Sequence, residues 1–258
     1  MHDTNSSRGE GRFGFGFDPA AFLRRGGREW RLGVVETAEV SPRLRTVSFT
    51  GDDLGELDWR PGQDLVLSLP QPGGEPARRH YTIRDFNPAA RRLDIDFVRH
   101  GDSPSARWLD AVRPGDVIDA RGPRGRTQLA EGARHHWFFG DETAMPGIFA
   151  MAEALPAGAR ATALIEIDGP DDVQALSSAG DVEIEWLYRR RPAGPSDLLL
   201  MALAARAPDP RGAHAYVLGE TSNVRSQRHH LLRLGFGREQ ITAEGYWRPG
   251  RVGGHDHV

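Results

Sequence analysis

Apolar and polar residues alternate in short runs through the first half of the chain. Leu65, Leu67 and Leu69 alternate after Pro61-Gly62, and Leu93, Ile95 and Phe97 do the same further on. Four more segments have strand character between turn signals. They are Trp30–Val40, Arg43–Phe49 before Thr50-Gly51-Asp52-Asp53, Arg79–Phe86 before Asn87-Pro88, and Asp116–Ala120 after Pro114-Gly115. Short strands at this spacing predict a six-stranded antiparallel barrel, with Ser105–Val112 as its one helix. Near Gly132 the period changes. Strands at His136–Gly140, Ala161–Ile167, Asp181–Tyr188, Ala213–Gly219 and Ile241–Tyr246 are interleaved with helices at Thr143–Leu155, Asp197–Arg206 and Asn223–Leu234. That alternation predicts an α/β domain with a parallel sheet. The expected fold is thus β + α/β: an arm over 1–27 with a short helix at Pro19–Arg25, a barrel over 28–126, an α/β domain over 127–251 and a flexible tail over 252–258. The join lies near Arg121–Ala133, and no internal repeat is visible.

Composition narrows the chemistry. The 258 residues include no Cys, so disulfides, thiolate nucleophiles, iron–sulfur clusters and Cys-based zinc sites are all excluded. Electron transfer would then require an organic cofactor. All 33 basic side chains are Arg, which rules out Lys Schiff-base chemistry and suits planar recognition of phosphate and carboxylate. The net charge of −3 argues against a general nucleic-acid surface. No apolar run reaches the roughly 18 residues of a membrane span. Met1–Gly16 is polar and Gly-rich without a signal-peptide core, so the cytoplasm is the expected location.

The candidate chemistry starts at Arg79-His80-Tyr81-Thr82-Ile83-Arg84. On a strand, His80, Thr82 and Arg84 share one face and Arg79, Tyr81 and Ile83 the other. Tyr81 could stack on a flat ring, Thr82 could hydrogen-bond beside it, and Arg79 could bind a diphosphate. Asp96-Phe97-Val98-Arg99-His100-Gly101-Asp102-Ser103-Pro104-Ser105 reads as a strand end running into a phosphate-sized turn. Ser103, Ser105 and the helix start offer an anion site, and His100 an adenine or ribose contact. Together these clusters point to a flavin nucleotide.

Gly140-Asp141-Glu142-Thr143-Ala144-Met145-Pro146-Gly147 sits at the first strand-to-helix turn of the α/β domain, where nucleotides dock in open sheets. It lacks a G-x-G-x-x-G fingerprint. Its carboxylates repel a diphosphate, so the turn is expected to face the neutral nicotinamide end of NAD(P)H. Gly219-Glu220-Thr221 repeats the pattern at the fourth strand. Arg225 and Arg228, or Arg189-Arg190-Arg191, could hold a 2′-phosphate, which leaves NADPH and NADH both open. Tyr246 and Trp247 could bring an aromatic ring back over the flavin. His255-Asp256-His257 looks metal-like but lies in a Gly-flanked tail and is read as adventitious, so no metal site is expected.

The R-x-Y-T-x-R strand at Arg79–Arg84, D-F-V-x-H-G at Asp96–Gly101, G-P-R-G at Gly122–Gly125, G-D-E-T-A at Gly140–Ala144 and G-Y-W-R at Gly245–Arg248 occur in one order. Together they resemble the siderophore-interacting proteins, flavin-dependent ferric-siderophore reductases related to the ferredoxin reductases. The resemblance implies an FAD-binding barrel followed by an NAD(P)H-binding domain. It places Arg79, Tyr81 and Thr82 around the flavin ring and phosphates, with Phe97 and His100 on its flavin and adenine sides. Ser105 would hold the diphosphate, Asp141, Glu142 and Thr143 would lie near the nicotinamide, and Trp247 would close the site. Asp96, Val98 and Ser103 complete the expected cofactor set, and Gly219, Glu220 and Arg190 the nucleotide set. Two features depart from the family. The phosphate turn is one residue shorter than H-G-x-x-G-P-A-S, and the family's substrate-site lysine is absent, so Arg84, Arg124 or Arg248 would substitute. The implied partner is a ferric siderophore, with ferredoxin as a further possibility. The rival readings are a general flavin reductase or ferredoxin-linked carrier, and a non-catalytic siderophore-binding protein.

Overall fold

The computed structural model describes residues 27–99, 101 and 103–250, together with the backbone of 256–257. Strands β1 (Arg28–Ser41), β2 (Leu44–Thr50), β3 (Asp64–Gln71), β4 (Gly74–Asn87), β5 (Arg92–Val98) and β6 (Val117–Arg124) close into an antiparallel barrel ordered β1-β2-β5-β4-β3-β6. Helix α1 (Pro104–Ala111) follows β5 and buries Trp108 and Leu109. Alternate residues point inward. Leu32, Val47, Phe49, Leu65, Leu67, Leu69, Ile83, Leu93, Ile95 and Phe97 therefore form one core.

The second half contains β7 (His135–Asp141), α2 (Met145–Glu153), β8 (Arg160–Ile167), β9 (Asp181–Tyr188), α3 (Leu198–Arg206), β10 (Ala213–Glu220), α4 (Thr221–Arg233) and β11 (Ile241–Trp247). Five parallel strands run in the order β11-β10-β7-β8-β9. Both faces of the sheet are covered, so β8 is buried almost throughout, as parallel strands are. One face packs Phe138, Ile148, Phe149, Ile165 and Tyr216 together, the other Phe139, Leu164, Leu199, Leu203 and Val217. Leu44, from the barrel, belongs to the first of these clusters, and Val98 packs against it, so the two halves share a core. Among the described residues, no helix is long and apolar enough to cross a membrane.

Within the described residues the expected strands and helices are present, and the differences lie at their ends. Strand β4 starts at Gly74 rather than Arg79, because the hairpin with β3 closes tightly at Gln71 and Gly74. Helix α2 begins at Met145 rather than Thr143: Asp141 bonds the Thr143 N–H, which keeps the chain in a turn until Ala144. Helix α4 begins at Thr221 rather than Asn223, since the Glu220 carboxylate caps the N–H groups of Ser222 and Asn223. The tail, expected to be loose, adds a two-residue strand β12 (Asp256–His257) antiparallel to Glu244–Gly245. The proposed arm helix at Pro19–Arg25, His100, Asp102, His255 and the side chains of Asp256 and His257 lie outside the described residues.

Candidate functional site

The two faces of β4 do different jobs. On the inner face the Tyr81 ring lies 4.2 Å from Phe97, which in turn lies 5.2 Å from Trp108 of α1. A hydrogen bond joins the Tyr81 and Ser105 side chains, tying the ring to the start of α1; burial pushes the phenol above its ordinary pKa, and Ser105 partly restores it. Ser103 caps the same helix by accepting from the Ala106 N–H at 3.1 Å. The arrangement is an aromatic plate beside a helix N-terminus, with Arg79 on the same strand face. Arg79 donates to the Arg78 carbonyl at 2.8 Å.

The outer face of β4 meets the second half of the chain. Thr82 shares a hydrogen bond with Tyr246 of β11, and burial holds the Tyr246 hydroxyl well above its ordinary pKa. Thr82 also lies against Gly147 of α2, where an added Cβ would come 3.1 Å from the Thr82 methyl. Arg84 grips Glu153 of α2 through both guanidinium nitrogens, at 2.6 and 2.7 Å, and lies 3.8 Å from Asp96. The guanidinium expected at the substrate is therefore engaged in joining the two halves. Asp96, expected at the cofactor, is buried on the same face. Burial raises its pKa, which the Thr46 hydroxyl and Arg84 pull back.

At the carboxyl end of the parallel sheet Asp141 is a hub. Its Oδ1 accepts from the Thr143 N–H at 2.9 Å and from the Thr143 hydroxyl; its Oδ2 accepts from the Glu220 N–H and the Trp247 Nε1–H, each at 2.9 Å. Burial first, and the neighbouring Glu142 second, raise its pKa to about 6. Gly219 has φ +127°, and a Cβ there would fall 2.6 Å from the Asp141 Oδ2, so only glycine fits. Glu142, expected near the nicotinamide, is instead buried and forked to Arg189 at 2.6 and 2.7 Å. Arg189 also lies 3.5 Å from Glu166 and 3.7 Å from Asp168, so its charge is already matched. Arg190 is exposed, as is Arg225. Glu220 has its carboxylate in the α4 cap.

Arg124 and Thr82 both pair with Asp64, so the three form one row across β6, β3 and β4. Arg124 is exposed and stands two interstrand spacings, about 10 Å, from Thr82. Arg248 is exposed at the end of β11, directly after Trp247. The structure thus brings Tyr81, Phe97 and Ser105 together on one face of β4, with Ser103 at the same helix start; Thr82, on the other face, meets Tyr246, and Asp141, Thr143 and Trp247 join at the carboxyl end of the sheet. Val98 packs away from the plate, into the core shared by the two halves. Sequence reasoning missed Glu153 and Trp108, and it placed Gly147 in the nicotinamide turn rather than against Thr82.

These residues fit a flavin nucleotide: a supported aromatic face, hydroxyls beside it, and an Arg with helix N–H groups for phosphates. The matches to known proteins are of the same kind. The family model described as siderophore-interacting FAD-binding domain matches residues 70–127, and the siderophore-interacting protein model matches 133–250. The ferric vibriobactin reductase of Vibrio cholerae is 32% identical over 245 residues, covering 85% of this chain and 89% of that protein. The ferric acinetobactin reductase of Acinetobacter baumannii is 30% identical over 189 residues, covering 72% and 65%. A crystal structure of a siderophore utilization protein from T. fusca superposes with a TM-score of 0.80 at 31% identity, covering 87% of this chain and 94% of that one. With a closed barrel and a parallel sheet each matched by its own model, and relatives that run nearly the length of both, the chain belongs to the siderophore-interacting protein family.

Proposed function

We propose that the protein is a flavin-dependent ferric-siderophore reductase, taking electrons from NAD(P)H and delivering them to Fe(III) held by a siderophore. The observation that carries this reading is the division of labour on β4: Tyr81 offers a supported stacking face, while the next residue, Thr82, is bonded to the second half of the chain. A ring bound at Tyr81 would lie one residue along β4 from the contact with the second half.

FAD, when bound, supplies the exchange between the two-electron chemistry of NAD(P)H and the one-electron chemistry of iron. The chain's residues supply position. Tyr81 presents an aromatic face whose tilt is set by Phe97 below and Ser105 at its hydroxyl. Arg79 and the amino end of α1 provide donors for the diphosphate. Thr82 and Tyr246 keep the two halves in register, so hydride donor and acceptor can be held in contact away from water. Arg124, in row with Thr82, and Arg248, beside Trp247, are the cations for an anionic ferric chelate, in place of lysine. Hard oxygen donors hold Fe(III) better than Fe(II), so reduction itself loosens the metal. We place the reaction in the cytoplasm, where reduced nicotinamide nucleotides are available.

The test is turnover of the purified protein with FAD, NADPH or NADH, a ferric siderophore as sole acceptor, and a coloured Fe(II) chelator as trap. Formation of the Fe(II) complex without another protein is the expected result. A rate that appears only when ferredoxin is added would replace this reading with a ferredoxin-linked carrier.

A further inference from the structure

At the amino end of the parallel sheet, where β7, β8 and β10 start, the structure holds a cavity of about 630 Å³. Its walls include Arg134, His135, Trp137, Arg160, Asp209 and Arg211. Small-molecule sites commonly occupy roughly 300–1,000 Å³. Strand β7 runs from His135 to Asp141, so the cavity lies about 20 Å from the carboxyl end of the sheet.

Charge is unbalanced in this recess. Arg211 forks onto Asp209, at 2.6 and 3.0 Å. Among the described residues, Arg134 and Arg160 close no ion pair. Asp181 stands beside Arg160 in strand register without pairing to it, and Glu183 is held by Arg206 at 2.8 Å. Arg134 is fixed in place. Its backbone N–H donates to the Gly212 carbonyl at 2.8 Å, and its Nε lies 2.7 Å from where a Cβ on Gly212 would fall. Gly212 has φ +67°, so a glycine here both makes the turn and leaves room for the guanidinium. Two guanidinium groups without counter-ions suit phosphate, which accepts their N–H forks bidentately.

The same wall carries two stacked rings. His135 lies 4.5 Å from Trp137, at an interplanar angle of 27°. Its Nε2 is 3.0 Å from the Thr162 hydroxyl, which fixes the imidazole. Burial first and the Arg160 charge second hold the His135 pKa below its ordinary value, against the pull of Glu183 and Asp181. At neutral pH the imidazole is thus a flat, uncharged surface. Trp137 is 8% exposed, and among the described residues its indole N–H has no acceptor, an uncommon state for a buried donor.

We propose that this cavity binds a phosphorylated small molecule of nucleotide size, with Arg134 and Arg160 on its phosphates and the His135–Trp137 stack beside its ring. The site is separate from the crevice at the carboxyl end of the sheet and does not depend on the reductase reading.

The test is isothermal titration calorimetry of the purified, FAD-loaded protein with ADP, adenosine and pyrophosphate. ADP should bind, with adenosine and pyrophosphate each weaker. Arg134→Met and Arg160→Met should each raise the Kd for ADP about tenfold or more, the worth of a hydrogen bond to a charged group. Arg113→Met, which removes an exposed cation from the barrel, should leave it unchanged. No binding of ADP, a Kd that the cavity variants do not move, or an equal loss in Arg113→Met would overturn the proposal. Adenosine as tight as ADP would contradict the phosphate contacts, and pyrophosphate as tight as ADP would contradict a ligand of nucleotide size. The second readout locates the ligand: in proton NMR titrations, with the resonance assigned by His135→Gln, bound ADP should raise the His135 pKa by offsetting Arg160. An unmoved His135 titration would place ADP elsewhere and overturn the site. Circular dichroism melts of each variant establish that the folded protein is being compared.

Discussion

At the scale of single residues, Tyr81 and Asp141 make opposite demands on their surroundings. Tyr81 needs its ring supported and one face available. Phe97, Trp108 and Ser105 provide the support. Tyr81→Ala removes the stacking face, so the dissociation constant for FAD, read by flavin fluorescence quenching, should rise roughly tenfold; Tyr81→Phe, which loses only the Ser105 bond, should change it less. Asp141 needs its charge tolerated in a buried place, and the cost appears in its pKa, near 6 against about 3.9 in an unfolded chain. The groups acting on it are Glu142 at its own strand end, the hydroxyl and N–H of Thr143, and the Trp247 indole; Arg189 beyond β9 and Tyr246 on β11 feel its charge in turn. Because the folded state holds the proton more tightly, this group's contribution to stability is full below about pH 4 and is lost as pH rises through 6. Asp141→Asn should therefore flatten the fall in unfolding free energy between pH 4 and 6, by up to about 2–3 kcal/mol, in urea titrations. An unchanged slope would mean that the carboxylate ionises as freely in the folded protein as in the unfolded chain.

At the scale of elements, the outer face of β4 and helix α2 act as one joint. Gly147 lets the helix approach Thr82, and Arg84 closes the contact on Glu153. Removing one partner of a partly buried forked ion pair leaves the other uncompensated. Arg84→Met should lower stability by about 1–3 kcal/mol in chemical denaturation and leave KM for the ferric siderophore unchanged. A variant with normal stability and a raised KM would return Arg84 to the substrate. The element order and strand faces could be read from the sequence because alternation in β3 and β5 and the change of period near Gly132 are local patterns. The joint could not be read. Arg84 and Glu153, like Asp141 and Trp247, are distant in sequence, and each carries a polar side chain that suits a ligand as well as a neighbour. Asp96 shows the same limit. It alternates outward from the barrel, which predicts exposure to solvent or cofactor, yet it is buried beside Thr46 and Arg84, the side chain that reaches on to Glu153 of α2.

At the scale of the whole molecule, a closed barrel and an open sheet make one seam. Strand β11 runs along it: Glu244 accepts from the Thr127 hydroxyl of the connecting segment at 2.8 Å, Tyr246 bonds Thr82 of the barrel, and Trp247 bonds Asp141 of the sheet. Strand β11 thus joins both halves, which is why G-Y-W-R, far from every other motif in sequence, belongs to the same site. The most direct test of the seam as a redox site is an anaerobic spectral titration of the purified, FAD-loaded protein. NADPH or NADH should bleach the visible flavin absorption, and a ferric siderophore added afterwards should restore it as the Fe(II) trap develops colour. A colourless protein that takes up no added FAD, or a bound flavin that neither nucleotide bleaches, would contradict it.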